Sequence, residues 1–132
     1  MNTRNFTSIE ESKALIEAGL DPETADMVWL FEPLIGDYTE FPVFKLKPSY
    51  TEKEDIPCWS TGALIELLPK TIRRKCMDYP LRIYPNPDSS YDIEYNARVI
   101  AEIGFNKNSL IIAVMEMVFW LLKNGFIKKV EP

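Results

Sequence analysis

Asn106-Lys107-Asn108-Ser109-Leu110-Ile111-Ile112-Ala113-Val114-Met115-Glu116-Met117-Val118-Phe119-Trp120-Leu121-Leu122-Lys123-Asn124-Gly125 is the stretch that decides the fold. It predicts one helix over 106–124 with both ends marked. Asn106, Asn108 or Ser109 offers a side-chain oxygen to the first backbone donors, and Gly125 supplies a left-handed residue after Asn124. Between Leu110 and Leu122 the only charged residue is Glu116. A helix apolar nearly all round is buried over most of its surface. The run is shorter than the ~20 apolar residues that cross a bilayer. It is therefore expected as the central core helix, or as one shared with a second subunit.

Upstream of this helix the period changes. Leu81-Arg82-Ile83-Tyr84 and Tyr91-Asp92-Ile93-Glu94-Tyr95 alternate as strands, and 85–90 between them is rich in Pro, Asn, Asp and Ser. This predicts a hairpin with a wide loop, with Tyr91, Ile93 and Tyr95 on one face and Asp92 and Glu94 toward water. The segment 98–105 reads as a third strand, with Val99, Ala101 and Ile103 in phase, or as a helical turn; strand is preferred. Further upstream, Ser60 is a plausible N-cap for a helix over 61–68 with Leu64, Leu67 and Leu68 on one face. Pro69 marks its end or a kink, and 70–76 is expected to continue as a basic surface turn. The fold class that results is α+β. A small antiparallel sheet packs against the long apolar C-terminal helix, with the second, short helix covering another side. One domain, 1–132, is expected at this length.

The N-terminal third carries its own signals. Thr7 with Glu10, or Ser8 with Glu11, fits the reciprocal capping box, and Ile9, Leu15 and Ile16 give the helix that follows an apolar face ending at Gly19. Asp21 and Pro22 restart a short helix that Ala25, Met27 and Val28 carry inward. From 29 to 50 the texture becomes aromatic and proline-broken, which predicts an edge strand or extended loop around Pro42 and a turn at 35–38. Residues 51–55 read as a polar linker.

Composition bounds the function. The net charge of −5 disfavours nucleic acid as a partner, because phosphate neutralisation needs an excess of Lys and Arg. Cys58 and Cys76 have no metal-ligand spacing, and two reduced thiols are expected in preference to a bridge. Met1-Asn2-Thr3-Arg4-Asn5-Phe6 lacks the apolar run of a signal peptide, so a cytoplasmic protein without a membrane segment is expected. The chain has no histidine, which removes the commonest general base and metal ligand and every Ser-His or Cys-His arrangement. Neither a phosphate-cradling G-x-x-x-x-G-K loop nor G-x-G-x-x-G is present. No catalytic residue, metal or cofactor is assigned, and the balance leans away from an enzyme.

Four features carry chemistry, each beside a plainer reading. Cys58, just before a helix N-terminus, is either an activated nucleophile or a small buried hydrophobe beside Trp59. Glu66 and Glu116, in apolar helical runs, are either buried acids or the solvated stripe of each helix, paired with a cation such as Arg82 or Arg98. Lys70, Arg73, Arg74 and Lys75 form the basic cluster, with Arg73 and Arg74 as an anion contact or simply as solvated charge after a helix end. Trp29, Phe31, Tyr38, Phe41 and Phe44 form either an exposed protein-binding edge or a cover strand on the core.

The block Ile56-Pro57-Cys58-Trp59-Ser60-Thr61-Gly62-Ala63-Leu64-Ile65-Glu66-Leu67-Leu68-Pro69 resembles a recurrent block in small proteins of anaerobic gut bacteria and their phages, where a Trp-Ser entry opens a leucine-rich helix. Met115-Glu116-Met117-Val118-Phe119-Trp120-Leu121-Leu122-Lys123-Asn124-Gly125 resembles the closing helix of the same proteins. With the intervening hairpin the resemblance covers about the C-terminal two-thirds of the chain. It implies a small intracellular α+β protein of prophage or mobile-element type, with Trp59 and Trp120 as core anchors, and brings no assigned activity. The expected function is a non-enzymatic interaction or accessory protein, through a protein partner or self-association by the apolar helix or the aromatic segment. The alternatives are a ligand-binding or carboxylate-based enzyme domain using Glu66, Asp92, Glu94 or Glu116, and a nucleic-acid accessory protein resting on the basic cluster.

Overall fold

Strand alternation and one apolar helix build the larger part of the molecule. The structure is a computed structural model and describes residues 4–45, 54–97 and 100–131. Part of the expected linker, Arg98 and Val99 lie outside the described residues. The N-terminal elements are α1 (Ile9–Glu17), β1 (Met27–Trp29), β2 (Phe31–Glu32), β3 (Asp37–Tyr38), β4 (Val43–Phe44) and β5 (Ile56–Cys58). The remainder are α2 (Thr61–Leu67), β6 (Thr71–Arg74), β7 (Met77–Pro85), β8 (Tyr91–Ala97), β9 (Ile100–Lys107) and α3 (Leu110–Lys123).

β6 to β9 form an antiparallel meander in the order β6-β7-β8-β9. Ile93 and Tyr95 of β8 are fully buried and share a cluster with Ile111, Val114, Met117, Val118 and Leu121 of α3. The partners that join them are Leu64 of α2 and Leu15 of α1. Tyr95 donates its hydroxyl to the carbonyl of Pro69 (2.7 Å), which gives the one polar atom of that ring a partner inside the core. The fold is α+β, with the sheet against a long C-terminal helix and the short helix α2 beside it. The segment from 100 to 107 is strand, as preferred from its alternation.

Four boundaries differ from expectation. The long helix begins at Leu110, because Asn106 and Lys107 continue the β9 ladder opposite Asp92 and Tyr91. Gly125 does take the left-handed position, at φ +80°. The expected basic turn at 70–76 is mostly β6: Ile72 is buried opposite Tyr79, and only Lys75 and Cys76, both at positive φ, make the turn. The short helix after Asp21 spans only Pro22–Thr24, so Met27 and Val28 enter the interior on a strand.

The fourth is β5, which the proline at 57 hides. The Lys45 N–H donates to the carbonyl of Asp26 (3.0 Å), so along β1 residues 26 and 28 bond toward β4, and 27 and 29 toward β5. Pro57 stands opposite Val28, where β1 asks for no donor. β1 is thus the centre of a three-stranded sheet, β4-β1-β5. Met27, Trp29, Ile56 and Cys58 form its small core, with Phe6, Ile9 and Tyr38 packed around them.

Thr7, fully buried, ties this small core to the large one. Its hydroxyl accepts from the Trp59 N–H (3.0 Å) and shares a hydrogen bond with Ser12 (2.7 Å). The Thr7 carbonyl accepts from the Trp29 indole (3.1 Å). Of the two capping boxes, Ser8 with Glu11 is the one formed. Arg4 holds the Glu11 carboxylate as well. Burial works to raise the Glu11 pKa, but the hydrogen bonds from Arg4 and Ser8 and the Arg4 charge outweigh it, and the result is a lowered value.

Candidate interaction surface

The aromatic segment divides into an inner and an outer part. Trp29 is buried, bonded through its indole and edge-on to Phe6 at 5.8 Å between centroids, so it is a core residue. Phe31 and Tyr38 face each other across the β2–β3 hairpin, edge-to-face at 5.3 Å, and are half-buried. The hairpin is fixed to the body by its own polar bonds. Phe31 N–H donates to the Asp55 carboxylate (2.9 Å), and the Tyr38 hydroxyl donates to the Glu54 carbonyl (2.9 Å).

Phe41 and Phe44 are the outward members, at 65% and 67% exposure. Three aliphatic residues join them. Leu34 is 97% exposed at the hairpin tip, Ile35 is exposed beside it, and Val43 is exposed on β4. The sequence reading passed over these three. The available signal was the turn 33–36, where two large aliphatic residues occupy positions that turn chemistry usually fills with Gly, Asn or Asp.

Backbone geometry adds a second feature. β4 is one edge of the three-stranded sheet. Just past the opposite edge strand, β5, the N-terminal segment bonds to the chain: Thr7 N–H donates to the Trp59 carbonyl and Thr61 N–H to the Asn5 carbonyl, both at 2.9 Å. With Lys45 N–H turned toward β1, alternation points the Phe44 N–H and carbonyl away from the sheet. Pro42, which has no N–H, limits how much of this edge a new strand can use. The segment also carries exposed carboxylates, Glu32, Asp37 and Glu40, with Glu54 just before β5, and Lys45 is the one cation between 26 and 45.

The other candidates fall elsewhere. Strand alternation sends Arg73 and Arg74 to opposite faces of β6. Arg73 pairs across the hairpin with Asp78 (3.0 Å, exposed), and Arg74 lies over the Trp120 ring at 5.5 Å. Trp120 is half-buried and stacks on Phe126 at 5.6 Å, so it lies at the margin of the core; Trp59 is fully buried and donates to Thr24 (3.0 Å). Cys58 is fully buried. Desolvation pushes its thiol up to about 11, with the nearby Asp26 charge adding to this, so it is held as the neutral thiol. Cys76 is exposed, and both thiols are free.

Glu66 is exposed on α2, and Glu116 is half-buried on α3. Asp92 and Glu94 lie on the outer face of the meander. There Asp92 accepts from Asn86 (2.9 Å) and Asn106 (2.7 Å), while Glu94 accepts from Tyr84 (3.1 Å). Of the four, Glu66 lines the crevice beside α2 with Asp26, and among the described residues no group of three carboxylates or thiols is placed to hold a metal ion. None of the described helices is long and apolar enough to cross a membrane. Comparison with family models, with curated proteins and with solved structures finds no match for this chain.

Proposed function

We propose that this chain is a non-enzymatic interaction protein that docks an extended, basic and apolar segment of a protein partner along β4 and the β2–β3 hairpin. The observation that carries the reading is five large exposed apolar side chains, Phe41, Val43 and Phe44 on and beside β4 and Leu34 and Ile35 at the tip of the β2–β3 hairpin, together with a β4 edge that no described strand pairs. An edge strand adds main-chain bonds, and alternate apolar side chains give selectivity. The acidic excess of this segment sets the sign of the partner: a basic segment is attracted, whereas a second copy would bring carboxylates against carboxylates. Self-association through α3 is disfavoured, since eight of its residues are buried within the chain. Nucleic acid is disfavoured by the overall charge. A cytoplasmic accessory role on a prophage or mobile element is in keeping with the resemblance of the 56–69 and 115–125 blocks.

The test is fluorescence anisotropy with labelled peptides that alternate Lys with Val or Ile, against peptides in which Glu replaces Lys. Saturable binding of the basic set, lost in the double variant Phe41→Ser, Phe44→Ser, is the expected outcome. Equal affinity of the double variant would remove this surface from the binding reaction. A concentration-dependent dimer by sedimentation, abolished by the same variant, would replace the foreign partner with a second copy.

A further inference from the structure

A crevice of about 510 Å³ opens at the N-terminal end of α3, between the helix start, the β7–β8 loop and the segment at Arg4 and Asn5. Three observations single it out. The first is the unfinished helix end. The first helical backbone bond runs from Ala113 N–H to the Ser109 carbonyl (3.0 Å), so the N–H groups of Leu110, Ile111 and Ile112 have no acceptor within the helix. Ser109 occupies the N-cap but makes no cap hydrogen bond.

The second is Ser109 itself. It is only 7% exposed, it lines the crevice, and its hydroxyl bonds to no described residue. The hydroxyl is not sealed from solvent, so it opens on the crevice with hydrogen-bonding capacity that a ligand can take over from water. The third is charge. In a chain with 20 acidic residues, no carboxylate among the described residues lines this crevice; its charged residue there is Arg4, which Glu11 also holds, with Asn5, Asn86 and Asn108 beside it. The carboxylates nearest in sequence, Asp88 in the loop and Asp92 on β8, are hydrogen-bonded to Ser90 and to Asn86 and Asn106 respectively.

We infer that this crevice binds a small molecule through an oxyanion group, phosphate or carboxylate, seated on the first-turn N–H groups of α3 and the Ser109 hydroxyl, with Arg4 at the rim. A 14-residue helix places a partial positive charge at that end, and its unpaired donors point along the axis toward an anion. Tyr91, Pro85 and Leu110 offer apolar wall for the rest of such a ligand. The site is separate from the β4 edge and stands whether or not that edge binds a partner.

The experiment is amide NMR of the whole chain, titrated with sodium phosphate and separately with sodium acetate at constant ionic strength. The amides of Leu110, Ile111 and Ile112 should shift saturably. A response to phosphate alone identifies a phosphorylated ligand, and a response to acetate alone a carboxylate. Ser109→Ala should weaken binding about 5-fold, the worth of one hydrogen bond, with no change in unfolding midpoint, because no cap bond is lost. Ser109→Asp should raise the midpoint and abolish the shifts, its own carboxylate occupying the helix end. Absence of saturable shifts with both anions, or unchanged affinity in Ser109→Ala, overturns the assignment.

Discussion

The two sheets of this molecule use the same strand chemistry toward different ends. The meander β6–β9 closes its apolar face with α3 and turns Asp92 and Glu94 outward, where Asn86, Asn106 and Tyr84 bind them. The sheet β4-β1-β5 has four buried hydrophobic residues in its cluster among the described residues and leaves Phe41, Val43 and Phe44 exposed. Length explains much of the contrast. β7, β8 and β9 run seven to nine residues, enough to carry a full helix, whereas β1, β4 and β5 run two or three. A small sheet whose apolar residues exceed what its own core can bury leaves apolar side chains in water.

The comparison breaks first, if it breaks, on matched truncations. Leu121→Ala removes a fully buried side chain from the large cluster and should cost about 3–5 kcal/mol by chemical denaturation. Met27→Ala, in the small cluster and 7% exposed, should cost about 2 kcal/mol. Equal losses would mean that the small core is as tightly closed as the large one. Thr7→Val tests the joint between them. Valine keeps the shape but leaves the Trp59 N–H without its acceptor, at a cost of about 1–3 kcal/mol. A neutral result would show that the two cores are joined by packing alone.

Titration sharpens the same contrast. A thiol whose folded value is raised contributes stability that is complete below its unfolded value and is lost as pH rises through the folded one. For Cys58 that window runs from about 9 to about 11, so unfolding midpoints should fall as pH rises through it. Tyr95, also pushed upward by burial, acts in the same direction above 10. Cys58→Ala should flatten part of this alkaline slope. In thiol labelling at neutral pH, Cys76 should react at once and Cys58 only on unfolding. Glu11 works in the opposite sense: its lowered value adds stability above 4.5 that is lost as pH falls.

What the sequence made legible follows the strength of each periodic signal. The apolar run 110–122 and the alternation of 91–95 specify the helix and the strand beneath it, because each residue choice agrees with the burial it receives. The shorter elements were read less well. A three-residue strand such as β5 has too few positions for a period, and its proline argues against strand until the pairing with β1 is known. β6 was masked by its charges: Arg73 and Arg74 look like one patch in sequence, while alternation divides them between Asp78 and Trp120. Of the candidate surface, the aromatic residues were visible, but not that Trp29 turns inward and Leu34 and Ile35 outward. The unpaired Ser109 was visible only as one of three candidate caps, since a missing hydrogen bond has no sequence signature.

The smallest expected effect on stability is also the one that separates an offered surface from an incompletely buried one. Phe41→Ser and Phe44→Ser each remove a large side chain that is two-thirds exposed, and substitutions away from packed or bonded features usually stay within about ±0.5 kcal/mol. If both rings merely complete the small core, serine should cost well over that, and Met27, the cross-strand partner of Phe44, should gain hydrogen-exchange openings. If the rings are offered to a partner, unfolding midpoints should hold, solubility at high concentration should rise, and only peptide affinity should fall. Hydrophobic surface is retained against solubility where something uses it, so unchanged stability together with lost affinity is the combination that the β4 edge predicts.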